Sequence, residues 1–329
     1  MPEPPPSSPR KRGGRLLRCG AAFVVLLAVA GYLAVQYVTG GRGGPGCEVV
    51  ADRGGAAYAF SPEQAVNAAT ITAVGTARGL PERAVTIALA TALQESALRN
   101  IRHGDRDSLG LFQQRPSQGW GTPQEIMDPT YASARFYDHL VKVPGYTRLP
   151  LTVAAQRVQR SGFPQAYAKH EPDATLLAAA LTGRSAATLT CEGRPGATPV
   201  AGPDAVRAAL VRDFGRDALQ PAGAEVDGTA TPTPAASPGG TGGSGDGNTV
   251  LLPVTGEPGA AGHRSPARRG WQLAHWAVAN ASALHITQVT YAGREWTAGQ
   301  TDSRWRATAG AGAAGAERDA GAVRIVTAH

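Results

Sequence analysis

Pro81-Glu82-Arg83-Ala84-Val85-Thr86-Ile87-Ala88-Leu89-Ala90-Thr91-Ala92-Leu93-Gln94-Glu95 carries charge only at its two ends. Ala84, Val85, Ala88, Leu89 and Ala92 recur at helical spacing, and proline suits the start of such a helix. Counting back by helical steps, Glu95 shares a face with Ala92 or Thr91, Ala88 and Ala84. A face this small and apolar packs closely against its neighbours, and burial there disfavours the charged carboxylate. The negative end of the helix dipole acts in the same direction. A carboxylic acid kept protonated near neutral pH is what protonation of a glycosidic oxygen requires. The plainer alternative is a solvated glutamate in a last helical turn.

Further helices extend on both sides of this run. Ser61-Pro62-Glu63-Gln64 reads as a capping box with proline at the first helical position, followed by Val66, Ala69, Ala73 and Ala77 on one stripe. Asp128-Pro129 opens another helix with Ala132, Phe136 and Leu140 on one face. Two more are expected over about 151–160 and 172–181, and an outlying one over 203–214. The pattern predicts a mainly α chain with its principal helical domain over 47–215.

Residues 1–18 hold Arg10, Lys11, Arg12, Arg15 and Arg18 against Glu3, so more than half of the formal +7 lies in that tail. The remainder is nearly balanced, and nucleic acid is not an expected partner. Residues 19–38 are apolar and long enough for the ~20 residues of a bilayer crossing. Basic residues before them predict a single-pass anchor with a cytoplasmic N-terminus and an extracytoplasmic bulk. A cleaved signal peptide ending near Ala28-Val29-Ala30 is the rival reading. Cys47 and Cys191 then fall in an oxidising compartment and bracket the helical domain. A disulfide between them is expected, with a reactive thiol as the minor alternative.

Residues 220–269 are rich in Pro, Gly, Ser and Thr and read as a flexible linker. Leu252-Pro253-Val254-Thr255-Gly256 matches a sortase pattern, but more than seventy ordinary residues follow it, and the match reads as coincidence. Residues 270–329 read as a small α/β domain. Trp271, Ala274, Val278 and Ala281 share a helix face, while 286–290 and 323–327 read as strands. Trp271, Trp276, Trp296 and Trp305 are either that domain's core or platforms for sugar rings. Its binding role is open, with an envelope protein as one partner class.

Glu95-Ser96, followed by Gly104-Asp105 and Ser108-Leu109-Gly110-Leu111-Phe112-Gln113, resembles the lysozyme-like superfamily, in particular lytic transglycosylases and goose-type lysozymes. The likeness spans about residues 66–181. The family's second acidic residue, two after the glutamine, is replaced by Arg115, and its later Ala-Tyr-Asn motif is echoed only by Ala154-Ala155-Gln156 or Ala166-Tyr167. The resemblance implies a lysozyme-like fold and cleavage of the bond between N-acetylmuramic acid and N-acetylglucosamine in peptidoglycan glycan strands. It casts Glu95 as acid and base in a transglycosylase route giving a 1,6-anhydro product. In a hydrolytic route Asp105 or Asp107 positions a water, although both could equally pair with Arg102 or Arg106. Ser108 and Gln113 are the expected partners of acetamido groups, Trp120 either a cleft wall or a core residue, and Gln156 and Tyr167 further substrate contacts.

The seven histidines show no ligand spacing, and phosphate-loop and nucleophile-elbow motifs are missing from the sequence. Neither a metal nor a cofactor is therefore expected. The expectation from another functional class is a wall-binding module that keeps the cleft without turnover.

Overall fold

The computed structural model describes residues 46–52, 54–161, 165–193, 202–219, 247–254, 265–299, 304–308 and 320–328. These described residues make one compact unit. Its centre is α1 (Pro62–Ala77), which is buried on nearly every side. Small side chains make that possible: a Cβ at Gly75 would lie 2.6 Å from the Tyr137 hydroxyl. The capping box forms, with Gln64 N donating to Ser61 Oγ at 3.3 Å and Ser61 N to Gln64 Oε1 at 2.7 Å.

Against α1 pack α2 (Glu82–Ser96), α4 (Pro129–Leu140), α6 (Glu171–Leu181) and α7 (Pro203–Phe214), while the short α3 (Pro123–Ile126) adjoins α4, and α5 (Leu151–Gln159) completes the helices of this region. Asp128 caps α4 by accepting from Thr130 N at 2.8 Å. Helix α6 packs along α2, and α5 crosses both α2 and α4.

The expectation of a mainly α chain is corrected by two antiparallel sheets. One holds β1 (Cys47–Val50), β2 (Ala57–Phe60) and β3 (Leu189–Cys191) in the order β2-β1-β3. Strands of three or four residues are too short to show a period-two pattern, which is why they escaped the sequence reading. Cys47 faces Cys191 directly in register, and the two form a disulfide.

The second sheet runs β4-β8-β5-β6-β7, from β4 (Thr249–Pro253), β5 (Ile286–Tyr291), β6 (Arg294–Thr297), β7 (Arg306–Ala307) and β8 (Ala322–Thr327). Strand β4 lies inside the stretch expected to be linker, where Pro and Gly mask its Val250-Leu251-Leu252 core. Val250 and Leu252 are buried while Leu251 faces out, as a half-buried strand requires.

Helix α8 (Pro266–Ala279), followed by the short α9 (Ala281–Leu284), is buried from Gly270 to Ala279 because it packs on α1, α6 and β3 as well as on β5. All four tryptophans of this region are core residues. Three of them also bond outside it: Trp276 Nε1 donates to Asp213 Oδ2 at 2.8 Å, Trp296 Nε1 to Cys191 O at 3.0 Å, and Trp305 Nε1 to Leu189 O at 2.8 Å. His275 is wholly buried, accepts from Thr188 N and lies 2.8 Å from Ala180 O through Nδ1. Burial pulls its pKa down to about 4, so it is a neutral core residue.

The expected transmembrane helix is not shown. Among the described residues no helix is long and apolar enough to cross a membrane, and 19–38 lie outside them.

Candidate functional site

Glu95 is the penultimate residue of α2 and is half-buried. Immediately after the helix, Ala97 and Leu98 take left-handed backbone (φ 52 and 58) that turns the chain sharply. Non-glycine residues rarely hold this conformation unaided. Here α1 secures it, with Gln64 Nε2 donating to Ala97 O and Asn67 Nδ2 to Leu98 O, both at 2.8 Å.

The Tyr167 hydroxyl donates to Glu95 Oε1 at 2.6 Å, and Gln159 is a second hydrogen-bonding neighbour of the carboxyl. Burial raises the pKa of Glu95 above the ordinary carboxylate value, while the bonds from Tyr167 and Gln159 oppose the rise. Burial and the Glu95 charge push the Tyr167 phenol upward in turn, so it stays a donor. Burial thus favours the protonated carboxyl, and the two hydrogen bonds favour the carboxylate.

The downstream segment is a tight hairpin. Leu109 N donates to Gln114 O at 2.9 Å and Gln114 N returns to Leu109 O at 3.0 Å, with the turn Gly110–Gln113 between them. Gly110 sits at φ 74, and a Cβ there would lie 2.7 Å from Ile126 O, so glycine is required on two counts. Ser96 Oγ lies 2.8 Å from Leu111 O as donor and ties the end of α2 to this turn. Gln159 Nε2 donates to Phe112 O at 2.7 Å and ties the same turn to α5. Glu95, the hairpin and α5 therefore meet around two short links.

Beside them lies a groove of ≈ 540 Å³ walled by Gln113, Trp120, His139 and Gln159 among others. Glu95 does not itself line this groove; Gln159 lines it and reaches back to the carboxyl. Gln113 has left-handed backbone (φ 48), and its amide Oε1 is so close to Gly104 that a Cβ there would sit 1.8 Å away. Trp120 is half-buried with its ring centroid 4.2 Å from that of His139.

The other expected site residues fall into different places. Asp105 is 95% exposed, with Arg106 at 4.0 Å, and none of its hydrogen bonds among the described residues reaches Glu95. Asp107 accepts from Arg115 Nε at 2.7 Å and Ser117 N at 2.8 Å, and these bonds hold its carboxyl far below the usual range. It fastens the loop after the hairpin. Ser108 is buried, its N–H bonded to Asp105 O. Gln156 Nε2 donates to Ser161 O at 2.6 Å, bracing the turn after α5. Of the two late-motif candidates, Tyr167 touches Glu95 and Gln156 bonds elsewhere.

Gln159 was not among the expected residues. It lies three positions after Gln156 on the same helix, and helical spacing alone does not tell these two glutamines apart. Gln94, paired with His170 Nε2 at 3.1 Å, was equally unforeseen. No group of three or more His, Cys, Asp or Glu among the described residues is placed to hold a metal ion.

Residues 240–318 match a family model described as VldE, C-terminal domain. That stretch contains α8 and most of the five-stranded sheet, and it excludes Glu95. No curated protein matches the chain.

Proposed function

We propose that the chain cleaves the glycan strands of peptidoglycan outside the cytoplasm, with Glu95 as both acid and base. The observation that carries this reading is the meeting of Glu95, Tyr167 and Gln159 with the hairpin of residues 109–114. The Ser96–Leu111 bond joins the two stretches on which the likeness to lysozyme-like transglycosylases rests. The Cys47–Cys191 disulfide supports an oxidising compartment.

In the proposed reaction Glu95 donates its proton to the glycosidic oxygen as the C1–O bond breaks. The muramyl 6-hydroxyl then attacks C1, its proton passes to the Glu95 carboxylate, and a 1,6-anhydro sugar is released. This route needs a single carboxyl, and it fits a site where Asp105 points to solvent and Asp107 is occupied by Arg115 and Ser117. An inverting hydrolysis instead needs a second carboxylate about 6.5–9.5 Å from the first.

Incubating the full chain with purified peptidoglycan and reading the products by mass spectrometry tests the proposal. Anhydro-muramyl ends support it, and new reducing ends select hydrolysis. Binding to the polymer with neither product points to a wall-binding module and defeats the enzymatic reading.

A further inference from the structure

The groove beside Glu95 is lined by Arg115, Lys142, Arg157 and Arg160, and no carboxylate among the described residues lines it. Asp107 offsets the charge of Arg115. Lys142, Arg157 and Arg160 make no ion pair among the described residues. All three are exposed; arginines elsewhere divide between paired ones, as Arg83 with Glu171 and Arg184 with Glu82, and exposed ones without an ion pair among the described residues, such as Arg99. Three unpaired cations around one concavity repel one another, and an anionic ligand relieves that repulsion.

The backbone adds a second observation. Arg160 caps α5 in left-handed conformation (φ 53), and Gln113, which also lines the groove, is left-handed too (φ 48). Glycine takes this conformation without cost, whereas a long side chain pays for it. The groove thus holds a strained arginine and a strained glutamine, and Gln159 links the same wall to Glu95.

Resting on the glycan-cleaving reading above, we infer that this groove receives the carboxylate-bearing branches of the glycan substrate. Lys142, Arg157 and Arg160 neutralise those carboxylates, and Trp120 and Gln113 flank the sugar. The cations select acidic, peptide-bearing strands over neutral ones and set the register of the strand against Glu95. Charge-assisted hydrogen bonds from guanidinium to carboxylate are the strong kind of polar contact.

The test uses the full chain carrying Glu95→Gln, so that no probe is consumed, and titration calorimetry. The probes are a soluble disaccharide–peptide oligomer of peptidoglycan, the same oligomer with its carboxyls converted to amides, and a glycerol-phosphate oligomer. The acidic oligomer is expected to bind about tenfold more tightly than the amidated one, the equivalent of one good charged contact. Lys142→Gln with Arg157→Gln removes that preference. Arg160→Gly reduces it alone, at a position whose backbone already suits glycine, so a folding defect does not cloud the result. Equal affinity for acidic and amidated probes overturns the inference. So does an undiminished preference in the charge variants, or tighter binding of the glycerol phosphate. Cleavage by wild type is a separate measurement: turnover without the acidic preference removes the inference alone, and preference without turnover removes the catalytic proposal alone.

Discussion

Glu95 is held between opposing influences: burial favours its protonated form, and the Tyr167 and Gln159 bonds favour its ionised form. Removing the Tyr167 hydroxyl leaves burial less opposed. Tyr167→Phe is therefore expected to raise the Glu95 pKa further, and the alkaline limb of the cleavage pH profile should move to higher pH. A limb that stays put contradicts the assignment of Glu95 as the titrating acid. The same shift has a sign for stability. A carboxyl whose pKa is raised by folding stabilises fully below its unfolded value, and that contribution disappears as pH rises through the folded value. Glu95→Gln does not titrate, so thermal melts should find the variant more stable than wild type at neutral pH, with the gap closing in acid. Gly104 is the other decisive position. Gly104→Ala drives a methyl into the Gln113 amide, at 1.8 Å for an unmoved side chain, and against Ser108 O at 2.9 Å. A fall in kcat/KM of about tenfold or more is expected from a misplaced positioning group.

Helix α2 reaches the site through its last turn, and the bond from Ser96 to Leu111 O keeps the hairpin in place. Ser96→Ala is expected to cost about 1–2 kcal/mol, because it leaves a buried carbonyl without its partner. Denaturant unfolding measures that cost, and peptidoglycan turnover should fall further than stability does. The helices of this region were legible because alanine-rich stripes, proline starts and the Ser61 and Asp128 caps all point to the same boundaries. Glu95 and the Gly110 turn were legible for a related reason: a carboxyl closing an apolar helix, and a glycine inside a run of larger residues. Gln159 and Tyr167 were harder to separate from Gln156. Their contacts depend on how α5 and the segment before α6 fold back onto α2, over sequence distances that periodicity does not encode. Arg157, Arg160 and Lys142 carry no sequence signature that joins them; the groove brings them together.

On the scale of the whole molecule, the stretch expected to be a separate C-terminal domain packs its principal helix, α8, against α1 and α6. Composition hid this, since a Pro- and Gly-rich segment precedes it and its tryptophans suit a small isolated core equally well. Trp296 and Trp305 instead donate to the backbone of β3, the strand that carries Cys191. A chain ending after Leu219 is therefore expected to lose cooperative thermal unfolding in circular dichroism, and a sharp transition in that fragment contradicts the packing described. Replacing Cys47 and Cys191 together by alanine should lower stability by about 2–5 kcal/mol under oxidising conditions, with reductant erasing the difference from wild type. These long-range ties hold the frame on which α2 presents its acid. The rate of peptidoglycan cleavage by Glu95→Gln relative to wild type tests that acid most directly. A loss of about a hundredfold or more, with an unchanged fold, is the predicted result; a variant that releases anhydro-muramyl products as fast as wild type contradicts the account.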